Sequence, residues 1–596
     1  MKNIPDKKIF LKYLPLLLIP LGVLLYSNVL NAPFVYDDEA YVLANRQIRS
    51  LGNFLDLSGT RYIGFLSFAL NYSTGGLVPF DFHLVNILIH VLNSILVFSL
   101  VRNTFRTPFI KGIHASDEVS VYAAFIAAVI FLSHPVESQA VSYVTQRFTS
   151  LAAFFYISSV LLYVKARIGW AQGKGGTANR LFYAGSLLSA VIAMKTKEIS
   201  FTLPFAIALY EFVFFRPEIK SSARYRIPFY FTLVIIPLTL LGPDIGIFGN
   251  YNASAEHLRN LQINEAARLP RSVYFFTELK VVVTYIRLLL LPVGQRLEYD
   301  YPVSTSLFDP PAFMSFLFLS SLILISFFVL RSSRKTGNIW GHLFPFGVFW
   351  FFLTLSVEST LVPIQDFIYE HRVYLPSVGL LISFVSLVFW TVEYLNSKRE
   401  KKISYKVLTA GLLIILCPAL FTSLYLRNNV WNDEMALLND SIGKSPGKSR
   451  LYYFRGLLNL KKNKFAEALY DADKVLSMNP KIAEAHNLRG VAYSGLGDHR
   501  RSIESFSAAL ALNRDYEIVY LNRGISYAAS GRHKEALKDF DQAAVIYPGF
   551  SEFIKSPLMK EVVTGIKRSC LERDMDGCGR FMDIPINRVP GGIPPF

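Results

Sequence analysis

The sequence predicts an all-α protein in which a polytopic bundle of membrane-spanning helices is followed by an array of helical repeats. Two observations support this prediction. The 596 residues are 52% hydrophobic and 18% charged, with a mean hydropathy of +0.34, which is too apolar for a soluble protein of this length. After Arg427 the chain becomes polar, and one motif recurs at a fixed interval, which is typical of stacked helical repeats.

Eleven apolar segments precede Arg427, and each is long enough, or nearly so, to cross about 30 Å of hydrocarbon. They lie near 9–30, 82–101, 119–133, 148–164, 181–194, 199–215, 227–242, 311–330, 339–356, 373–395 and 405–426. The first has a long apolar run and no clean cleavage site, so we expect a retained span and not a signal peptide. The sequence therefore predicts about eleven spans.

Positive charge sets the expected orientation of these spans. The formal net charge is +17, and Lys and Arg concentrate in short loops such as "RSSRK" and "NSKREKK", as in the cytoplasmic loops of membrane proteins. We therefore expect membrane lipid, and no nucleic acid, as a partner.

One segment, 276–292, carries Glu278, Lys280 and Arg287, which are costly at mid-membrane, so we interpret it as an interfacial or re-entrant helix. Everything after residue 426 is then expected outside. The predicted location is a bacterial inner membrane with periplasmic repeats, or the endoplasmic reticulum membrane with lumenal repeats.

The repeat after Arg427 has a period of 34 residues. Arg-Gly pairs recur at Gly456, Gly490 and Gly524, and Ala, Phe, Tyr and Pro positions share the same register. This is the tetratricopeptide pattern of paired helices with small residues where the helices touch. We expect a transmembrane domain at 1–430, a linker at 431–448, three repeats at 449–550, and a capping helix with a tail at 551–596.

The three cysteines have different expected roles. Cys417 lies in an apolar run and is interpreted as packing. Cys570 and Cys578 would lie in an oxidising compartment if the topology holds, and a disulfide between them is then expected.

Polar residues cluster where predicted spans end on the outer side. Charge among apolar residues at such positions is expensive and indicates function, although a solvated turn is the alternative for an isolated acidic triplet. The candidate site residues are Asp37, Asp38, Arg61, His134, Glu137, Arg147, Lys197, Glu198, Glu370, His371 and Arg372. His83 and His90 are better explained by hydrogen bonds between helices.

Motifs for several other chemistries are absent from the sequence. It contains no Gly-rich phosphate loop after a strand, no Cys-x-x-Cys, no His-Glu-x-x-His and no Gly-x-Ser-x-Gly. An ATP-driven or zinc-dependent mechanism therefore has no motif support.

The chain resembles a known superfamily through five stretches that occur in order. They are "FVYDDEAYVLAN", "RYIGFLSFALNYSTGGLVPFDFHLVNILIHVLNS", "FLSHPVESQAVSYVTQRFTSLAAFFY", "KTKEISFTLPFAIALYE" and "YEHRVYLPSVGLL". With repeats after the last span, the chain is similar to the C-type glycosyltransferases, and most to the transmembrane, tetratricopeptide-containing protein O-mannosyltransferases and their bacterial relatives. The resemblance implies transfer of a sugar from a polyprenyl-phosphate donor to protein hydroxyls, with Asp37-Asp38 as the family's acidic pair.

The residue types suit that reaction. A carboxylate can serve as general base for the attacking hydroxyl, and Arg or Lys can stabilise a phosphate leaving group. We expect Asp37 as base in an inverting transfer, with Asp38 orienting a substrate. For the donor phosphate we expect Arg372, Lys197 and Arg61, with His371 and Glu370 beside them. Clustered carboxylates can also hold Mg²⁺ or Mn²⁺, but a metal-independent reaction is preferred.

Other functions stay open at this point. The enzyme can instead transfer a sugar or an oligosaccharide to a glycan or a lipid, although the repeats favour a protein acceptor bound by their concave face. A scaffold whose work is done by the repeats would not need the acidic pair. A transporter is disfavoured, because the halves show no matching pair of broken helices.

Overall fold

The computed structural model describes residues 11, 13–55, 59–111, 117–173, 176–215, 219–235, 269–359, 363–364, 366–398 and 402–547. These residues are helical and contain no strand. They form two units, the second of which holds Glu298–Asp300 and the chain from Met435 on. The expected Cys570–Cys578 disulfide and the capping helix at 551–596 lie outside the described residues.

The first unit contains fifteen of the helices that the structure describes. In chain order they are α1 (Leu18–Leu25), α2 (Tyr62–Gly75), α3 (Pro79–Thr104), α4 (Pro108–Lys111), α5 (Asp117–Ser133), α6 (Ser138–Ser142), α7 (Arg147–Ala171), α8 (Thr177–Met194), α9 (Leu203–Phe214), α10 (Ile219–Phe231), α11 (Arg271–Leu290), α12 (Pro310–Thr336), α13 (Trp340–Leu355), α14 (Tyr374–Ser397) and α15 (Tyr405–Asn429).

Several of these helices are long and apolar enough to cross a membrane. Five continuous helical segments meet that condition by length and composition among the described residues, and a sixth is formed if α5 and the bent segment after it count as one span. α13 is apolar but shorter. The protein is thus a multi-pass membrane protein, and the total of about eleven spans stays a prediction. The segment expected to be interfacial, 276–292, lies largely within α11.

The position of each helix follows from the distribution of its apolar residues. α5 is buried from Val119 to Ser133 and forms the centre of the unit. α12 and α15 expose apolar side chains, among them Phe328 and Ile414. A helix that is apolar on its outer face is expected to contact lipid, because water would penalise that surface.

Several buried polar side chains in the bundle make hydrogen bonds to other segments, as an apolar medium favours. His83 Nε2 lies 3.0 Å from the carbonyl oxygen of Ala32, and His90 Nδ1 lies 2.7 Å from the hydroxyl of Tyr374. His90 makes the expected hydrogen bond between helices, whereas His83 bonds to a loop residue after α1.

The second unit consists of seven helices among the described residues. They are α16 (Glu434–Lys444), α17 (Ser449–Lys461), α18 (Phe465–Met478), α19 (Ala483–Gly495), α20 (His499–Leu512), α21 (Glu517–Ala529) and α22 (His533–Ile546). The last six are the helix pairs of three repeats. The segment expected to be a linker, 431–448, contains α16, which buries Leu437 and Leu438.

The recurring small residues of the repeats have the packing role that the pattern predicts. A Cβ added at Gly490 would lie 2.5 Å from the Phe506 ring, and one at Gly524 would lie 2.6 Å from Phe540. The turn inside each repeat holds a left-handed residue in the same register, Asn463, Gly497 or Gly531. Glycine and asparagine adopt that conformation at the least cost.

The repeats differ in one ion pair. Arg455 makes a bidentate contact with the buried Asp471, 16 residues later, with its shortest N–O distance at 2.6 Å. Arg523 contacts Asp539 in the same way at 2.7 and 2.8 Å. In the middle repeat Ser505 takes the place of the carboxylate, and Arg489 donates to its hydroxyl at 3.2 Å.

Helices α13 and α14 approach each other closely because each places a glycine at the contact. A Cβ at Gly347 would lie 2.1 Å from the carbonyl oxygen of Gly379, and a Cβ at Gly379 would lie 2.4 Å from that of Gly347. Small residues at such contacts let two membrane helices pack backbone to backbone.

We predict that Gly379→Ala lowers the unfolding midpoint of the detergent-solubilised protein, because its methyl group would overlap a backbone atom that cannot rotate away. Overpacking of this kind costs about 1–3 kcal/mol. Gly411→Ala on α15 is the matched control, since nothing lies within 4 Å of its added Cβ. Equal midpoints for the two variants would contradict the packing assigned to Gly379.

Candidate functional site

The acidic pair lies in the acidic loop, residues 34–41, which follows α1. Tyr36 adopts a left-handed conformation with φ of 56°, and a π-helical turn, Glu39–Leu43, comes directly after the pair. A left-handed tyrosine costs of order 1–3 kcal/mol, so the surrounding contacts must hold it in place. The resulting turn gives the two adjacent aspartates different surroundings.

Asp38 is fully buried and accepts three hydrogen bonds from protein groups. Its Oδ2 accepts the Val35 N–H at 3.1 Å, and its Oδ1 accepts the Thr145 N–H at 2.7 Å. The Thr145 hydroxyl also donates to Oδ1. Asp38 therefore fixes the acidic loop against the turn before α7, and both of its oxygens are occupied.

Burial also changes the protonation of Asp38. Loss of solvent raises the pKa of its carboxyl to about 7, although the hydrogen bonds from Thr145 and Val35 oppose the shift. The negative charge of Asp37 adds to the increase.

Asp37 is only partly buried, so it is the member of the pair that solvent reaches. Its N–H donates to the hydroxyl of Tyr143 at 2.8 Å, and the Tyr143 ring stacks on Trp431 with centroids 5.6 Å apart. Its carbonyl oxygen accepts the N–H groups of Ala40 and Tyr41. The backbone of Asp37 is thus held from both sides.

A second group, the cation cluster, consists of Arg61, Lys197, His371 and Arg372. The charges of the other three members all act on the imidazole of His371, so the fold brings together residues from three separate places in the sequence. His371 is positioned by Gln139, whose Oε1 accepts the backbone N–H of His371 at 2.8 Å.

Two members of the cation cluster already have carboxylate partners. Arg61 contacts Glu198 through two N–O pairs at 3.2 and 3.3 Å. Lys197 donates to Glu358 at 2.8 Å. Burial lowers the pKa of Lys197, although Glu358 opposes that shift. The pKa of Glu198 is pushed up by burial but held below its usual value by Arg61.

Arg372 differs from these two cations. Its side chain is 6% exposed, donates to the Phe367 carbonyl oxygen at 2.9 Å and lies over the Tyr369 ring at 5.3 Å. Among the residues that the structure describes, no carboxylate lies within salt-bridge distance of Arg372. Glu358 and Glu278 act on it electrostatically from farther away.

Aromatic residues connect the acidic loop with the cation cluster. Tyr369 stacks on His371 with ring centroids 5.2 Å apart. A negative charge on Tyr369 would also raise the pKa of Tyr143, the partner of Asp37. On the other side Tyr41 lies 6.1 Å from the Phe148 ring, over which Arg61 lies at 5.5 Å. The site predicted from separate motifs is thus brought together in one region of the first unit.

Glu370 and His134 have structural partners. Glu370 is fully buried and accepts hydrogen bonds from Gln295 Nε2 at 2.9 Å and from the Arg296 N–H at 2.8 Å. His134 Nδ1 accepts the Val136 N–H at 3.2 Å, so its Nε2 carries the proton and donates to the Leu289 carbonyl oxygen at 3.0 Å. Both side chains hold loops in place.

Arg147 holds helices α2, α3 and α7 together. It donates to Asn86 Oδ1 and Asn71 Oδ1, both at 2.6 Å, and to the Phe82 carbonyl oxygen at 2.8 Å. It also lies over the Phe68 ring at 4.6 Å. This fully buried guanidinium has its donors satisfied by neutral groups, so it is placed as a structural residue. Glu137 is also fully buried, beside Ser377.

The sequence motifs did not identify Tyr143 and Thr145 as partners of the acidic pair. Both lie inside the stretch that supplied His134 and Arg147, but their residue types alone do not mark them. Only the approach of that stretch to a loop more than a hundred residues earlier reveals their role.

The acidic pair, as the structure describes it, offers few free ligands to a metal ion. Within the described part of the chain no group of three or more His, Cys, Asp or Glu is arranged to hold one. Both oxygens of Asp38 accept hydrogen bonds from protein donors, so the acidic pair offers the carboxylate of Asp37 alone.

Comparison with protein families identifies the repeats. A model described as "Tetratricopeptide repeat" matches residues 487–549, which include most of the second and all of the third helix pair. Among solved structures, the crystal structure of MamA is 21% identical and covers 25% of this chain and 86% of its own, with a TM-score of 0.19.

Comparison with curated proteins gives relatives of one kind. Human "Protein O-mannosyl-transferase TMTC2" is 28% identical over 344 residues, 52% of this chain and 38% of that protein. The Drosophila melanogaster Tmtc2 enzyme is 29% identical over 51% of this chain and 32% of its own length. Human TMTC3 is 22% identical over 82% of this chain and 54% of its own.

These relatives are longer than the matched region, and the chain spans about a third to a little over half of their length. Their shared name agrees with the family that the quoted motifs indicate. The chain is therefore similar in sequence to the protein O-mannosyl-transferases, and its second unit carries tetratricopeptide repeats.

Proposed function

We propose that this protein transfers a sugar from a polyprenyl-phosphate donor to Ser or Thr hydroxyls of a protein. The observation that carries the proposal is Arg372, a buried guanidinium with no carboxylate at salt-bridge distance among the described residues. A buried cation of this kind is stabilised by an anionic ligand, and the planar guanidinium suits a phosphate.

The chemistry is a single displacement. The carboxylate of Asp37 accepts the proton of the acceptor hydroxyl as its oxygen bonds to the anomeric carbon of the sugar. The bond between that carbon and the phosphate oxygen breaks, and Arg372 stabilises the charge on the departing lipid phosphate. One displacement inverts the anomeric configuration.

Arg61 and Lys197 support this step from their ion pairs. Each shares its charge with a glutamate, so we assign them to shaping the field around the phosphate and assign Arg372 to direct contact. Asp38 acts through Asp37, because its hydrogen bonds fix the loop that carries the base.

The repeats suit a protein acceptor. A tetratricopeptide array presents a concave surface for extended peptide and can raise the local concentration of acceptor hydroxyls. The names of the relatives support the same acceptor class. We place the repeats and the acidic loop on the outer side of the membrane, the periplasm or the lumen. A glycan or lipid acceptor is the alternative, and the repeat-deletion experiment below separates the two.

We predict that Asp37→Asn lowers the rate of sugar transfer by about 10²–10⁴-fold, the usual loss for a general base. Donor binding and expression are expected to persist, since the amide has nearly the same shape. The measurement is transfer from labelled polyprenyl-phosphate sugar to a protein extract. A variant that keeps more than about a tenth of the wild-type rate would remove Asp37 as the base.

Two neighbouring variants serve as controls. Glu39→Gln in the same loop is expected to retain its transfer rate. Asp38→Asn loses the hydrogen bond from Val35, because an amide nitrogen cannot accept it. In the wild type, the Asp38 carboxyl has a pKa of about 7 in the folded protein and about 4 in the unfolded chain. Its ionisation therefore lowers the stability of the wild type as pH rises from about 4 to about 7. The Asp38→Asn protein should lack that part of the pH dependence.

We predict that Arg372→Ala weakens donor binding more than Arg372→Lys, since lysine keeps the charge but not the two-pronged geometry. The test is the dissociation constant for polyprenyl-phosphate sugar in each variant. Arg287→Ala on α11 is the control, because that arginine is exposed. Wild-type affinity in both Arg372 variants would contradict its contact with phosphate.

The repeats are predicted to select the acceptor and to take no part in the chemistry. Deleting residues 445–596 should leave donor binding and donor hydrolysis in place and reduce protein glycosylation. Full glycosylation of the natural acceptor by the truncated enzyme would exclude that role. A reporter fused after Phe596 should be active outside the membrane, and activity in the cytoplasm only would overturn the topology.

A further inference from the structure

A cavity of about 890 Å³ opens between the ends of α12, α13, α14 and α15. Its walls include the rings of Phe328, Trp340, Trp390 and Tyr405. The C-terminal end of α12 carries the basic stretch "RSSRK", and the sequence from the end of α14 to α15 includes "NSKREKK"; basic stretches of this kind indicate the cytoplasmic side. The cavity thus lies where a lipid headgroup meets the ends of membrane helices.

Phe389 packs against two of the aromatic rings in the cavity wall. The Phe389 ring stacks on Tyr405 with centroids 5.6 Å apart and an angle of 7° between the planes. It also lies 5.0 Å from the Trp340 ring. One helical turn further along α14, Glu393 accepts a hydrogen bond from Trp340 Nε1 at 2.5 Å. The rings and the carboxylate are therefore held in a fixed relation.

The charge of the cavity is unusual for its surroundings. Among the described residues Glu393 is the one charged residue in its lining, although basic residues are frequent in the adjoining stretches of sequence. Within the described residues Glu393 makes no salt bridge, and its charge acts on Tyr405. A carboxylate among aromatic rings attracts a cation, both through its charge and through the negative faces of the rings.

We propose that this cavity binds the headgroup of a phospholipid that carries a primary ammonium, of the phosphatidylethanolamine type. The ammonium lies against Glu393 and the Tyr405 and Trp390 rings, while acyl chains follow the apolar surface near Phe328. The part of the lining that the structure describes contains no Lys or Arg, which disfavours an anionic headgroup such as phosphatidylglycerol. This inference is independent of the glycosyltransferase reaction.

The test measures lipid binding to the purified full-length protein by its thermal unfolding midpoint. Added phosphatidylethanolamine should raise the midpoint more than phosphatidylcholine or phosphatidylglycerol, since a ligand that binds the folded state stabilises it. Glu393→Gln, close to isosteric, should weaken phosphatidylethanolamine binding about tenfold, the effect of losing one charged hydrogen-bond partner.

Asp117→Asn is the matched control. Asp117 is an exposed acid at the start of α5 and is not part of the cavity lining. This variant should respond to phosphatidylethanolamine as the wild type does. Equal stabilisation by all three lipids, a preference for phosphatidylglycerol, or a full response in Glu393→Gln would each overturn the proposal.

Discussion

The arrangement of the candidate site depends on the hydrogen bonds of one buried carboxylate. Asp38 joins the acidic loop to Thr145, and thereby joins the segment after α1 to the start of α7. That connection helps to hold the left-handed Tyr36, whose conformation is costly. The position of Asp37 is a consequence of what its neighbour binds. The two adjacent acids thus differ in their surroundings, since Asp38 is buried and hydrogen-bonded whereas solvent reaches Asp37.

The members of the cation cluster also differ in their surroundings. Arg61 and Lys197 are each paired with a glutamate, whereas Arg372 relies on a carbonyl oxygen and an aromatic ring. Burying a guanidinium without a counter-ion is expensive, and a site that binds a phosphate repays that cost when the ligand arrives. Because Arg61 and Lys197 are each paired with a glutamate, they repel Arg372 less than unpaired cations would.

Much of the architecture could be predicted from the sequence, because apolar runs and a 34-residue period are local signals. The convergence of the motif residues was also predictable from their common place at span ends. Their individual roles were not, since Asp37 and Asp38 are chemically alike and differ only through Thr145, which lies far away in sequence. Arg147 resembles a site residue until Asn71 and Asn86 are seen to satisfy its donors.

The missing carboxylate of the middle repeat has a mechanical consequence. In a linear array each repeat is stabilised only by itself and its neighbours, so a local deficit is not shared along the whole structure. Ser505 leaves Arg489 with contacts to neutral groups and a longer 3.7 Å contact with Asp473, where the flanking repeats have buried ion pairs. We therefore expect the middle repeat to be the least stabilised of the three, so that bending of the array concentrates at its centre and leaves both ends in place.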